Sequence, residues 1–234
     1  MKNNSKIIVA LDYSNAQQAN KFVEKIEIDS CKLKVGKELF TAAGPVFVES
    51  LVSRGFDVFL DLKFHDIPNT VAKACAVAAD LGVWMVNVHA LGGRKMMQAA
   101  RDALSEKQSP PLLIAVTILT SMASDDINDI GLSGEPADNV YRLAALADEV
   151  GLDGVVCSPQ EVQKLRAQCR ENFQLVTPGI RPIDSVVGDQ KRIMTPAAAI
   201  SAGSSYLVIG RPITQADDPM RALAQIADEI ETNV

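Results

Sequence analysis

Apolar residues gather in eight short runs along the chain: IIVALD (7–12), CKLKVG (31–36), DVFLDLK (57–63), MVNVHA (85–90), LLIAVTIL (112–119), GVVCS (154–158), QLVTPG (174–179) and YLVIG (206–210). Most are nearly continuous rather than alternating, as parallel strands covered on both faces require. The segments between them are Ala-rich and favour helix. Several junctions share one grammar, with a helix stopping at a glycine shortly before a strand: SRGFDVFLD, LGVWMVNVH, VGLDGVVCS and AGSSYLVIG. Glycine suits the left-handed position that ends a helix. Ser14 with Gln17 reads as a capping box, and Asp218 followed by Pro219 as an N-cap with proline at the first helical position. Strand and helix alternating throughout predict a parallel sheet.

Such a sheet can close into a barrel or stay open and doubly wound. No GxGxxG follows the first run, while polar residues recur at the run ends: Asp12, Lys34, Asp61, Lys63, Asn87, His89, Thr117, Thr120, Arg181 and Arg211. A barrel brings all these ends to one mouth, where barrel enzymes hold their chemistry. The expected fold is therefore a single (β/α)8 TIM barrel, with residues 1–234 as one domain and no linker or low-complexity tract dividing it. Two connections, 121–139 and 178–196, are longer than the rest and read as lids.

Composition narrows the function classes. The chain has 234 residues, 47% of them hydrophobic, enough for one substantial core. A net charge of -6 argues against non-specific nucleic-acid binding, so any phosphate site is local. Cys31, Cys75, Cys157 and Cys169 show no CxxC spacing and His65 and His89 are the only histidines, which predicts no metal site. Asp125, Asp126 and Asp129 read as a solvated loop or helix start rather than a metal cluster. No targeting segment or membrane span is visible, which makes the cytoplasm the expected location.

The densest polar stretch is Asp61-Leu62-Lys63-Phe64-His65-Asp66-Ile67-Pro68-Asn69-Thr70. Asp61 and Lys63 stand two apart on a strand, so they share a face, and Lys34 at the neighbouring strand end can complete a Lys-Asp-Lys array. A structural ion pair is the alternative, although several charges gathered at adjacent strand ends are costly to bury without a functional return. A second group comprises Thr177-Pro178-Gly179-Ile180-Arg181, Asp189-Gln190 and Ile209-Gly210-Arg211. Loops after strands seven and eight are the usual phosphate site of this barrel class, and the rival reading is surface arginines in solvent. Asp12 can accept from a sugar hydroxyl or form a turn, Thr120 and Ser121 can contact ligand or local backbone, and His65 and His89 read as packed or turn residues rather than bases.

Taken together, VALD, KLKVG, DLKFHDIPNT, TILTS, TPGIR with GDQKRIMTP, and YLVIGRPIT resemble the orotidine 5'-phosphate decarboxylase family in its compact bacterial form, along the whole chain. The resemblance implies conversion of orotidine 5'-monophosphate to uridine 5'-monophosphate in pyrimidine synthesis, with no metal or other cofactor. It implies a catalytic network of Lys34, Asp61, Lys63 and Asp66, in which Lys63 protonates the ring carbanion. Asp66, Ile67 and Thr70 are then expected to reach the partner's site in a homodimer. Asp12, Lys34, Thr120 and Ser121 are implied as ribose or pyrimidine contacts, and Pro178, Arg181, Gln190, Gly210 and Arg211 as contacts on the phosphate side.

Two rivals stay open on sequence alone. A magnesium-dependent sugar-phosphate decarboxylase shares the Asp-x-Lys-x-x-Asp spacing, but Lys34 stands where it needs a metal-binding carboxylate. A non-catalytic nucleotide-binding barrel would keep the phosphate grip, but would not be expected to keep Asp61, Lys63 and Asp66 all charged.

Overall fold

The computed structural model describes residues 4–182 and 194–232. Its strands are β1 (Ile7–Ala10), β2 (Lys32–Gly36), β3 (Val58–Phe64), β4 (Met85–His89), β5 (Leu112–Val116), β6 (Gly154–Val156), β7 (Gln174–Thr177) and β8 (Tyr206–Ile209). Each pairs in parallel with its neighbour, and β8 returns to β1 through Ile7↔Leu207 and Val9↔Ile209, closing a (β/α)8 barrel. The helices are α1 (Ala16–Val23), α2 (Lys37–Ser53), α3 (Pro68–Asp80), α4 (Gly93–Ser105), α5 (Ser124–Asp129), α6 (Pro136–Val150), α7 (Val162–Gln168), α8 (Pro196–Ser201), α9 (Arg211–Thr214) and α10 (Pro219–Thr232). No helix among the described residues is long and apolar enough to cross a membrane.

The continuous apolar runs divide their side chains between two cores by the two-residue period of a strand. Leu33, Val35, Val58 and Leu60 join the outer layer between sheet and helices. Ile8, Phe59, Met85, Ile114 and Val176 fill the barrel interior. Lys32 and Lys34, which alternate with Leu33 and Val35, therefore turn inward. Lys32 plugs the N-terminal end of the barrel, with Nζ 2.8 Å from Asp57 Oδ2 and 4.7 Å from the Trp84 ring. Trp84 meets Tyr206 edge to face at 5.0 Å, so the buried cation sits beside aromatic walls as well as its counter-ion.

The helix-to-strand junctions adopt the expected backbone, with Gly55, Gly82, Gly151 and Gly203 all at positive φ. Asp218 Oδ1 accepts from the Arg221 N–H at 3.0 Å, as its predicted N-cap role demands. At the first helix the cap differs from expectation. Asn15, not Ser14, is the N-cap, its Oδ1 accepting from the Gln18 N–H at 2.9 Å. Helix α1 starts at Ala16, so the free third amide lies within reach of residue 15, and Ser14 bonds the Gln18 side chain instead.

Two further expectations are adjusted, and the acidic cluster lies at a helix start as expected. Strand β5 ends at Val116 rather than at residue 119, because the Thr117 hydroxyl turns to the Val156 carbonyl at 2.9 Å and the chain leaves the sheet. The long connection 121–139 contains α5 and the first turn of α6, where Asn139 Nδ2 donates to the Ser133 and Glu135 carbonyls. Asp125 and Asp126 lie in the first turn of α5, and Asp126 Oδ2 accepts from the Ala123 N–H at 2.8 Å. The four cysteines are free and buried, and burial pushes the Cys31 and Cys75 thiols up to about 12, far from thiolate chemistry.

Candidate active site

The C-terminal ends of the strands surround a cavity of about 450 Å³. On the side of β1 to β3 its wall carries Asp12, Lys34, Asp61 and Lys63, and after β5 it carries Thr120. Beyond β7 and β8 it carries Pro178, Arg181, Gly210 and Arg211. Phe59 forms part of the floor. The volume suits a nucleotide-sized ligand.

The charged array is closely built. Asp61, 8% exposed, holds Lys63 Nζ on Oδ1 at 2.6 Å and Lys34 Nζ near Oδ2 at 3.3 Å. Lys34 Nζ also lies 3.5 Å from Asp12 Oδ1, giving an Asp-Lys-Asp-Lys chain. Burial alone would push the Asp61 carboxyl up. The Lys34 and Lys63 cations, with hydrogen bonds from Lys63 and Asn87, reverse that and hold it below the ordinary carboxylate range.

Asp61 and Lys63 meet, though not by the flat-strand alternation expected from their spacing. Between β3 and β4 the register passes from Leu60↔Val86 to Phe64↔Val88, so β3 carries two extra residues in a bulge. Lys63 stands inside it at φ 54, the one non-glycine residue at positive φ among the described residues. Such a backbone costs roughly 1–3 kcal/mol and persists only where its surroundings enforce it. Lys63 meets Asp61 from within this irregular segment rather than from a flat strand.

Asp66, Ile67 and Thr70 do not line this cavity. They follow β3 on an exposed rim, where Asp66 Oδ1 accepts from the Ile67 N–H at 2.6 Å and Ile67 is 66% exposed. Ser121 is exposed and also stands off the cavity. Gln190 lies outside the described residues, as does most of the 178–196 connection. Gly210 has no side chain at the mouth, and a Cβ there would stand 3.6 Å from Asp12 Oδ2. Sequence reasoning did not pick out Gln215, which lines the cavity four residues beyond Arg211; the i,i+4 spacing across α9 was the available signal.

His65 and His89 stack with ring centroids 5.4 Å apart, consistent with packing rather than base chemistry. Burial, then the neighbouring His65, Lys37 and Lys63, push His89 down to about 4. The unfolded chain therefore binds a proton at this site before the folded one does, so stability is greatest above about pH 6.5 and falls as pH drops toward 4. Asp61 acts in a lower window, its contribution being lost only as pH falls through its depressed value. Urea midpoints measured across both windows are expected to fall in two stages, and His89→Gln to flatten the upper one. An unchanged upper slope in His89→Gln would show that another group carries it.

The family model described as orotidine 5'-phosphate decarboxylase / HUMPS matches residues 5–226. The chain belongs to this family. It is 60% identical over 221 residues to the orotidine 5'-phosphate decarboxylase of Hydrogenovibrio crunogenus, covering 94% of each chain. With the enzyme of that name from Aliivibrio fischeri it shares 62% identity, covering 94% of this chain and 95% of the relative. The crystal structure of orotidine 5'-phosphate decarboxylase from Lactobacillus acidophilus superposes with a TM-score of 0.87 at 43% identity, covering 96% of this chain and 98% of the other. At 24% identity, the structure from Pyrococcus horikoshii OT3 bears on the fold alone, with a TM-score of 0.76.

Membership of the decarboxylase family gives the cavity a frame of reference. Lys34, Asp61 and Lys63 crowd one wall and Arg181 and Arg211 stand on another. The arrangement can bind a small anionic molecule by the arginine side and act on it at the lysine side. Among the described residues no group of three or more His, Cys, Asp or Glu side chains is placed to hold a metal ion.

Proposed function

We propose that this chain decarboxylates orotidine 5'-monophosphate to uridine 5'-monophosphate in pyrimidine synthesis, without a metal or other cofactor, as a cytoplasmic homodimer of single-domain (β/α)8 barrels. The observation that carries the reading is Asp61 held between two lysines in the wall of a cavity that also contains Arg181 and Arg211. The family and its named relatives supply the substrate class.

Losing carbon dioxide from the pyrimidine leaves a carbanion in the ring plane, where the π system helps little, so the uncatalysed barrier is very high. The Lys63 ammonium stabilises that charge as it develops and then gives its proton to the ring carbon, so that C–C cleavage is matched by C–H formation. Asp61 disfavours the substrate carboxylate beside it and holds the ammonium in place. Arg181, Gly210, Arg211 and Gln190 take the phosphate, with Pro178 shaping that end, and this remote binding offsets the strain at the reacting carbon. Asp12, Lys34, Thr120 and Ser121 take the ribose and pyrimidine.

Shared sites are part of the same proposal. Asp66, Ile67 and Thr70 lie off their own cavity, and Ile67 and Val77, 66% and 62% exposed, leave apolar surface at and beyond the start of α3 for a partner to cover. Asp66 then supports the partner's Lys63 and keeps its ammonium oriented.

Metal independence is supported by Lys34, whose ammonium lies against both Asp12 and Asp61, the carboxylates a cation would need. The test is loss of orotidine 5'-monophosphate absorbance in excess chelator. Full conversion to uridine 5'-monophosphate is expected, whereas activity that returns only with magnesium would favour a metal-dependent sugar-phosphate enzyme.

A further inference from the structure

We propose that Asn87 is a positioning residue for the reaction, its carboxamide fixing the Lys63 backbone and the Asp61 carboxylate at once. The inference rests on the reading of Lys63 as proton donor and goes beyond it.

The bulge in β3 removes a regular ladder partner from the Lys63 N–H, since Leu60 pairs with Val86 and Phe64 with Val88. Asn87 is the β4 residue between those two partners. Its Oδ1 accepts from the Lys63 N–H at 2.7 Å, and its Nδ2 donates to Asp61 Oδ1 at 2.7 Å. A side-chain amide thus stands in for the missing backbone bond. The orientation of the amide is dictated by its neighbours, because a backbone N–H can only donate and the bonded carboxylate only accept. Asn87 has no exposed surface, so water cannot replace either bond.

The same Asp61 Oδ1 receives Lys63 Nζ at 2.6 Å. Asn87, the backbone of Lys63, its side chain and Asp61 therefore close a ring of contacts through one oxygen. The left-handed backbone of Lys63 has a steep route back to the β region unless its N–H is held. Releasing it would carry the ammonium away from the reacting carbon while leaving Arg181 and Arg211, which do not touch Asn87 in this network, to bind phosphate.

A structural bond and a positioning bond differ in what they move. Asn87→Leu keeps the volume and removes both polar atoms. It is expected to lower kcat roughly 10²-fold, the effect of a small misplacement of a reacting group. Calorimetric binding of uridine 5'-monophosphate, which lacks the reacting carboxylate, is expected to stay within about threefold. Asn87→Asp keeps the acceptor and loses the donor.

At high pH its carboxylate faces Asp61 directly; when protonated it can donate to Asp61 as the amide did. The charged groups around it are Asp61 and Lys63 of β3, Lys34 of β2 behind Asp61, and His89 further along β4. On the β5 side, Ile114 pairs with Asn87 and LLIAV carries no titratable side chain. The activity of Asn87→Asp relative to wild type is therefore expected to climb as pH is lowered from about 8 to about 5.

Parallel loss of kcat and of product binding in Asn87→Leu, a kcat within about threefold of wild type, or a flat pH ratio in Asn87→Asp would overturn the proposal. A crystal structure of either variant gives a readout independent of turnover. Lys63 relaxed to negative φ supports the assignment, and Lys63 unchanged at positive φ with Nζ still on Asp61 refutes it. If wild type does not convert orotidine 5'-monophosphate, the decarboxylase reading fails by itself, and the Lys63 backbone still decides whether Asn87 holds it.

Discussion

Replacing Lys63 by alanine is expected to lower kcat for orotidine 5'-monophosphate by about 10⁴-fold or more, because one side chain supplies both the proton and the cation facing the developing carbanion. The fold should tolerate the change, since Lys63 is a partly exposed partner of Asp61 and Lys34 remains as its second counter-ion. Binding of uridine 5'-monophosphate is therefore the control, and it should persist. The same variant tests the shared site. Each site in a dimer of Lys63→Ala with Asp66→Ala combines groups from both chains, so one site carries both lesions and the other neither. Random mixing at equal amounts should restore about one quarter of wild-type activity. No recovery after verified subunit exchange would place Asp66 outside the partner's site, and a kcat only tenfold down would remove Lys63 from the role of proton donor.

Loss of Asp61 is expected to have the largest effect on stability. Its carboxylate is nearly buried and serves two ammonium groups, so Asp61→Ala leaves Lys34 and Lys63 facing each other and should cost about 3–5 kcal/mol of unfolding free energy. Asp61→Asn, whose amide oxygen can still accept, should cost less. Urea denaturation at neutral pH measures both. A loss below about 1 kcal/mol in the alanine variant would mean that water already screens the array. Lys34 retains Asp12, which sets a limit on the damage at that end of the chain of charges.

Much of this arrangement was legible in the sequence. The strand positions followed from apolar runs bounded by glycine, and barrel closure from the number of polar residues that needed a common mouth. Lys34, Asp61, Lys63, Arg181 and Arg211 were found because charge at the end of an apolar strand is expensive and conspicuous. The left-handed backbone of Lys63 was not legible, because nothing in lysine's own preferences favours it. It is imposed from β4, by an asparagine that sequence reading marked as polar but gave no task.

Asn15 was overlooked as a cap because Ser14 and Gln17 offered an equally good local pattern, and a one-residue shift of the helix start decides between them. Strand five was drawn too long because TIL is apolar whether it pairs or turns away. Gln215 carries no charge and caps the end of a helix of only four residues, so its i,i+4 spacing from Arg211 was a faint signal. Ile67 and Thr70 can be judged only against a second chain, since their surroundings in one chain are solvent.

The lysine plug at the opposite end of the barrel has a consequence for how the chain finds its alignment. Lys32 and Lys34 are the inward residues of β2, flanked by Leu33 and Val35 in the outer layer. Sliding β2 by one residue against β1 would drive two ammonium groups between sheet and helices and turn a leucine and a valine into the lumen. A slide of two would preserve the faces but, depending on its direction, leave either Asp57 or Asp61 without its lysine from β2. Misaligned pairings of β2 are therefore disfavoured, and the lysine that never meets substrate helps determine where the one beside Asp61 comes to rest.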